Sequence, residues 1–143
     1  MEGSALPRVA LRDLNGAGRT LGLATGQPLL LNLWATWCPP CRAEMPDLDL
    51  LARSPAGIRV LGVAVDDDLN LVREFVLQYR IGFDIWSDPG LRACREALAV
   101  AGIPATYLVA GDGRIRRVVS GEQRWNDSPA RDWVEALRGP DRS

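Results

Sequence analysis

The chain has 143 residues, a formal net charge of −1, a 47% hydrophobic and 24% charged composition, and neither histidine nor lysine. That size and balance suit one globular domain and argue against disorder, collagen or coiled coil, and the charge gives no general attraction to nucleic acid or anionic membrane. The two missing residue types exclude a His general base, a Ser-His-Asp triad, a His-ligated metal and a Lys Schiff base, leaving three cysteines and the carboxylates for chemistry.

Met1-Glu2-Gly3-Ser4 has neither the basic nor the apolar region of a signal peptide, which leaves a cytoplasmic protein or a chain that starts after a removed leader. The apolar run Leu29 to Leu33 is far shorter than the ~18 residues of a membrane span. Residues 1–27, punctuated by Gly16-Ala17-Gly18 and followed by Pro28, read as an N-terminal arm; the core spans 28–138 of a single 1–143 domain. Leu29 to Trp34 predicts a buried strand, Ala43 to Ala52 a helix, and Ile58 to Val65 a second buried strand ending at Asp66-Asp67-Asp68. Leu69 to Tyr79 places Leu69, Val72, Phe75, Val76 and Tyr79 on one helical face. Asp88-Pro89 opens a shorter helix, with Asp88 as N-cap and Pro89 at the first helical position. Thr106 to Val109 and Ile115 to Val119 flank the hairpin turn Gly111-Asp112-Gly113, and a last helix, Ala130 to Leu137, buries Trp133, Val134 and Leu137. The pattern indicates an α/β fold, a central mixed β-sheet with helices on both faces.

Trp37-Cys38-Pro39-Pro40-Cys41 follows a buried strand and opens a helix, the context in which a CxxC pair does redox work. Cys38 would sit at the helix N-terminus, where free N–H groups and the macrodipole favour a thiolate and lower the thiol pKa from ~8.5. Pro39 and Pro40 lack N–H groups, so the first backbone donor in the turn is that of Cys41, and their fixed φ angles preset the helix start. Cys41 then acts as the resolving thiol that attacks a mixed disulfide at Cys38. The alternatives are a structural disulfide or a half-built metal site. A Cys₄ zinc site needs a second pair where only Cys94 remains, and c-type haem needs His where Arg42 stands.

The stretch Leu31-Asn32-Leu33-Trp34-Ala35-Thr36-Trp37-Cys38-Pro39-Pro40-Cys41-Arg42-Ala43-Glu44-Met45-Pro46 resembles the thioredoxin superfamily, and more narrowly its TlpA/ResA/DsbE branch of extracytoplasmic thiol-disulfide oxidoreductases. The resemblance runs from about Leu6 to Leu137 and implies a thioredoxin-like fold. Ile103-Pro104-Ala105-Thr106 resembles the loop whose cis-proline packs against the active-site disulfide; carried over, Pro104 is cis and Ile103 offers its backbone to a substrate chain. Pro46 matches the helix-kinking proline of the superfamily. The resemblance further implies reduction of disulfides in partner proteins outside the cytoplasm, in the periplasm. A membrane thiol donor would re-reduce the protein, and cytochrome c maturation is the setting. No dissociable cofactor and no metal are implied beyond a redox-active Cys38–Cys41 disulfide, and a monomer is expected.

Asn32 stands where thioredoxin has a buried aspartate that helps move the proton off the resolving thiol, so the acceptor here is a carboxylate, a water or the leaving thiolate. Asp67 is one candidate, at the end of a strand beside the motif, where related proteins carry a glutamate nearby; Asp67→Asn should then slow attack by Cys41. The competing reading makes Asp66, Asp67 and Asp68 a solvated loop and N-cap. Glu44 is the other candidate and matches a glutamate typical of the branch, but in the first turns of its helix, where negative charge is favoured, it reads as a local electrostatic and structural residue. Cys94 reads as core, Trp34 as core, and Trp37 as a contact residue for the partner. Arg114, Arg116 and Arg117 read as exposed strand decoration. An oxidase or isomerase is the nearest alternative activity. A Cu(I)-delivery module is disfavoured by the missing histidine, and a peroxidase by the lack of Thr-x-x-Cys.

Overall fold

The apolar hexapeptide Leu29–Trp34 forms the central strand of the sheet, buried along nearly its whole length. The computed structural model describes residues 1–55 and 57–138; Ala56 and the last five residues of the expected 1–143 domain lie outside that set. In chain order the strands are β1 (Val9–Asp13), β2 (Gly18–Leu21), β3 (Leu29–Trp34), β4 (Arg59–Ala64), β5 (Asp84–Ser87), β6 (Ala105–Val109) and β7 (Ile115–Ser120). The helices are α1 (Pro39–Arg53), α2 (Leu69–Gln78), α3 (Arg92–Leu98) and α4 (Ala130–Leu137). The described strands form one sheet in the order β2-β1-β5-β4-β3-β6-β7. β3, β4 and β5 run parallel, and β6 lies antiparallel to β3 with Asn32 opposite Thr106.

Parallel neighbours need crossover helices, and the right-handed rule puts α1 and α2 on the same face, since both connections step the same way across the sheet. Strand β6 shows what covers the other face. Thr106 points toward α1, through Asn32 and Glu44, whereas its neighbour Tyr107 points the opposite way and donates its hydroxyl to the Leu98 carbonyl of α3. Gly62, opposite Asn32, leaves room for the Trp34 indole: a Cβ there would come within 3.0 Å of the indole Nε1 and 2.8 Å of Ile85 Cδ1.

Residues 1–27 contribute more than an arm. β1 and β2 pair as an antiparallel hairpin, and β1 joins the sheet through Arg12 opposite Ser87. The signal was there to read: Asn15-Gly16 follows an alternating run, and Asp13 Oδ1 accepts the N–H groups of Asn15 and Ala17 to close the turn. Strand β5 also escapes the sequence reading because four residues give too little periodicity to register.

The helix expected from Pro89 starts later. Pro89–Leu91 form a single 3₁₀ turn, and Gly90 (φ 68°) and Leu91 (φ 59°) adopt left-handed conformations that interrupt any continuous helix. Asp88 still caps α3, but from a distance: Oδ1 accepts Ala93 N–H (3.1 Å) and Oδ2 accepts Cys94 N–H (2.9 Å). Asp88→Ala would orphan both buried donors and should cost about 1–3 kcal/mol, read as a lower urea midpoint at unchanged slope; an unchanged midpoint would show that α3 caps itself. On α4 the buried positions are Ala130, Val134 and Leu137, while Trp133 is only half-buried, its ring covered by the Arg117 guanidinium at 4.6 Å. Among the described residues no helix is long and apolar enough to cross a membrane.

Candidate active site

The β3–β4 ladder ends where the Trp34 carbonyl accepts Val65 N–H (2.8 Å). There the strands part. The Val65 carbonyl turns to Gly90 N–H, and the N–H of Thr36 is taken by Asp66 Oδ1 at 3.0 Å, while Thr36 Oγ1 donates to Asp66 Oδ2. Cys38 N–H then closes a turn onto the Ala35 carbonyl, and Cys38 becomes the N-cap of α1. Its Sγ accepts the Cys41 N–H at 3.4 Å, the first donor that the Pro-Pro pair leaves available. Cys38 and Cys41 are joined in a disulfide, with Cα atoms 5.3 Å apart. Cys41 is completely buried, Cys38 keeps 5% of its surface, and Trp37 is 65% exposed. Pro46 stands inside α1 without ending it. Arg42, in the first turn, is a cation where the helix dipole disfavours one. It lies over the rings of Phe75 and Tyr79 and donates to the Tyr79 hydroxyl at 3.0 Å.

Glu44 is fully buried, one turn beyond Cys41 on the inward stripe that also holds Met45 and Leu48. Its Oε1 accepts from Asn32 Nδ2 (3.3 Å), and its Oε2 from Gln123 N–H (3.1 Å) and Trp125 Nε1 (2.6 Å). Burial raises its pKa above the ordinary carboxylate value and outweighs the downward pull of those three hydrogen bonds; the nearby Glu122 charge adds to the rise. Trp125 and Gln123, in the loop before α4, form part of this site and carry no recognisable motif, so only the fold reveals them.

The three aspartates after β4 divide their work. Asp66 is buried on Thr36, Asp68 caps α2 by accepting Asn70 N–H (2.9 Å), and Asp67 is exposed and faces Gly90, where an added Cβ would lie 3.6 Å from its Oδ1. The carboxylate that reaches the motif loop is thus Asp66, whose neighbour the sequence had nominated. The Ile103–Pro104 peptide bond is cis. One step beyond the Leu33–Ala105 pair, Pro104 comes level with Trp34, at the motif end of the sheet. A groove of about 640 Å³ runs beside it, lined by Val100, Ile103, Pro104, Tyr107 and Val118 among others. A larger concavity of about 1110 Å³, lined by Asp112, Arg117 and Trp133, holds none of the candidate residues. Cys94 is buried, and burial together with the Asp88 carboxylate pushes its thiol pKa far up, away from thiolate chemistry.

Residues 3–118 match the AhpC/TSA family. The thiol-disulfide oxidoreductase ResA of Bacillus subtilis (strain 168) is 29% identical over 139 residues, which cover 96% of this chain and 76% of that protein. The thiol:disulfide interchange protein DsbE of Escherichia coli (strain K12) is 34% identical over 143 residues, covering 95% of this chain and 71% of its own. A crystal structure of a candidate DsbE from Chlorobium tepidum superposes with a TM-score of 0.86 at 24% identity, over 97% of this chain and 99% of the other, which establishes the thioredoxin-like fold. With that fold and a CxxC disulfide at the mouth of α1, the chain belongs to the AhpC/TSA family within the thioredoxin superfamily, as a thiol-disulfide oxidoreductase of the ResA/DsbE type.

Proposed function

We propose that this protein reduces disulfides in extracytoplasmic partner proteins through the WCPPC motif, Trp37 to Cys41. The observation that carries the reading is the asymmetry of the pair: Cys38 caps α1 with its Sγ on a backbone N–H, while Cys41 is wholly buried one turn later. The reduced Cys38 thiolate attacks one sulfur of a partner disulfide, forming a mixed disulfide and releasing the first partner thiolate. Cys41, as thiolate, then attacks Cys38 Sγ, and the second partner thiolate leaves. Two electrons pass to the partner, and the protein ends as the Cys38–Cys41 disulfide seen here. No dissociable cofactor enters this cycle.

Trp37, Ile103 and Pro104 form the substrate contact: an exposed indole beside the nucleophile, and the cis-proline loop at the same end of the sheet. Pro39 and Pro40 preset the turn. Glu44 serves as a structural and electrostatic support, its carboxylate already engaged by three donors. Asp67, exposed at the β4 end, is the candidate acceptor for the proton on Cys41; unchanged kinetics in Asp67→Asn across neutral and alkaline pH would remove it from the mechanism. The names of the relatives, a thiol-disulfide oxidoreductase and a thiol:disulfide interchange protein, support the exchange chemistry; in the proposed scheme the setting is periplasmic or otherwise extracytoplasmic, the pathway is cytochrome c maturation, and a membrane thiol donor re-reduces the protein. The protein acts in this scheme as a monomer.

The deciding experiment combines two measurements: the reduction potential against glutathione, and capture of the partner by Cys41→Ser, which should accumulate a mixed disulfide at Cys38. A potential above about −150 mV would make the protein an oxidant and overturn the direction of electron flow.

A further inference from the structure

We infer that Asp66 is a positioning residue for the redox turn, acting on Cys38 through Thr36. The inference rests on the proposed role of Cys38 as nucleophile. Three observations carry it. Asp66 is a buried carboxylate, and both of its oxygens are engaged by one residue, the backbone N–H and the hydroxyl of Thr36. Thr36 is the first central residue of the turn from Ala35 to Cys38, so whatever fixes Thr36 fixes the launch of Cys38 into α1. And the clamp sits where backbone pairing has just ended: the Val65 carbonyl has gone to Gly90, so the carboxylate substitutes for the ladder bond that β4 no longer supplies to the β3 extension.

The consequence for chemistry follows from the two prolines. A backbone thiolate acceptor site at a helix N-terminus ordinarily draws on several N–H groups, but with Pro39 and Pro40 in place the contact made to Cys38 Sγ is the single 3.4 Å bond from Cys41 N–H. A single N–H···S bond is sensitive to small rotations of the turn. In the oxidised state the disulfide itself restrains the turn. In the reduced state that restraint is gone, and the Asp66–Thr36 clamp is what keeps Cys38 Sγ aimed at its donor. Asp66 therefore supports thiolate formation by geometry, against the unfavourable sign of its own charge. The charged groups nearest the turn along the chain and in the adjoining loops are Arg42 and Glu44 on α1, Asp67 and Asp68 after β4, and Arg92, which meets Asp67 at Gly90.

The test uses reduced full-length protein and four variants, reading the Cys38 thiolate by its ultraviolet absorbance against pH and the rate of attack on a small aromatic disulfide at pH 7. Positioning predicts that Thr36→Val and Asp66→Ala raise the Cys38 pKa and slow attack about threefold to tenfold, the effect of one hydrogen bond. Thr36→Ser keeps both donors and should stay near wild type; Asp66→Asn can keep both bonds, its Oδ1 accepting the amide and its Nδ2 donating to the hydroxyl, so it should not raise the pKa or slow attack, any shift being the downward one that follows loss of the charge. If Asp66 acted by charge, Asp66→Asn and Asp66→Ala would both lower the pKa and Thr36→Val would do nothing. If the clamp were only a stabiliser, melting temperatures would fall with no change in pKa or rate. Either result overturns the inference. Should Asp66→Ala fail to fold, the Thr36 pair decides alone. Cys41→Ser capture in the wild-type background separates the two levels: no mixed disulfide there sinks the proposed function, while capture with unaffected Thr36→Val kinetics sinks only the clamp.

Discussion

Cys38→Ser is expected to bring disulfide exchange down to the uncatalysed background, while Cys94→Ala leaves the rate unchanged. The nucleophile in exchange is a thiolate, and a serine hydroxyl cannot ionise near neutral pH. The other two sulfurs cannot take over. Cys41 is completely buried within α1, and Cys94 sits on the buried face of α3 with its thiol pKa pushed far up by burial and by the Asp88 carboxylate. Brief alkylation of the reduced native protein should accordingly label Cys38 first and leave Cys94 unmodified until the chain is unfolded. Substantial exchange in Cys38→Ser, or fast native labelling of Cys94, would mean that a different cysteine initiates the reaction.

The largest stability effect is expected at Glu44. Truncation to alanine orphans the Trp125 indole N–H and the Gln123 amide, takes one of two acceptors from Asn32 Nδ2, and opens a cavity between α1 and the loop before α4. Each buried unsatisfied donor costs about 1–3 kcal/mol, so Glu44→Ala should lose about 3 kcal/mol or more. Glu44→Gln keeps the shape and can keep its oxygen on Gln123 N–H and Trp125 Nε1, but its amide nitrogen then meets the Asn32 Nδ2 donor, so it too should be destabilised, by less than the alanine.

The pH dependence separates the charge from the packing. Glu44 has its native pKa raised above the ordinary value of 4.5. Between those two values the folded protein holds a proton that the unfolded chain has released, so this group's contribution to stability is full below the ordinary value and is lost as pH rises through the native one. Glutamine has no such proton. The difference in unfolding free energy, wild type minus Glu44→Gln, should therefore fall as pH rises through the window, as measured by urea titrations at a series of pH values. A difference that grows with pH would show that Glu44 is stabilised as the carboxylate instead.

Much of the site could be read in the chain before any folding was considered. The CxxC spacing, the two prolines and the strand before them are local facts, and local facts fix how a helix begins. The cis geometry at Pro104 belongs to resemblance, since no single proline announces it. What escaped was non-local. Asp66 and Asp67 are indistinguishable as neighbours in a row of three aspartates; which one turns inward depends on the twist of the chain as β4 leaves the sheet. Trp125 lies 81 residues from Glu44 and joins it only through the return of the chain after β7. The N-terminal hairpin is a local feature, carried by Asn15-Gly16 after an alternating run and by the Asp13 carboxylate that closes the turn.

By itself, then, the amino-acid sequence determined the chemistry. With no histidine and no lysine, three cysteines and the carboxylates were all that remained, and the Trp37-to-Cys41 motif drew two of the three sulfurs together. The tertiary structure decided the assignment of roles. Placement on α3 beside the Asp88 carboxylate set Cys94 apart from the disulfide pair, the parting of β3 and β4 put Asp66 on the redox turn, and the packing of a distant loop against α1 left Glu44 buried and satisfied. Reactivity follows from residue type and local backbone, but proton affinity and position depend on what the fold brings alongside.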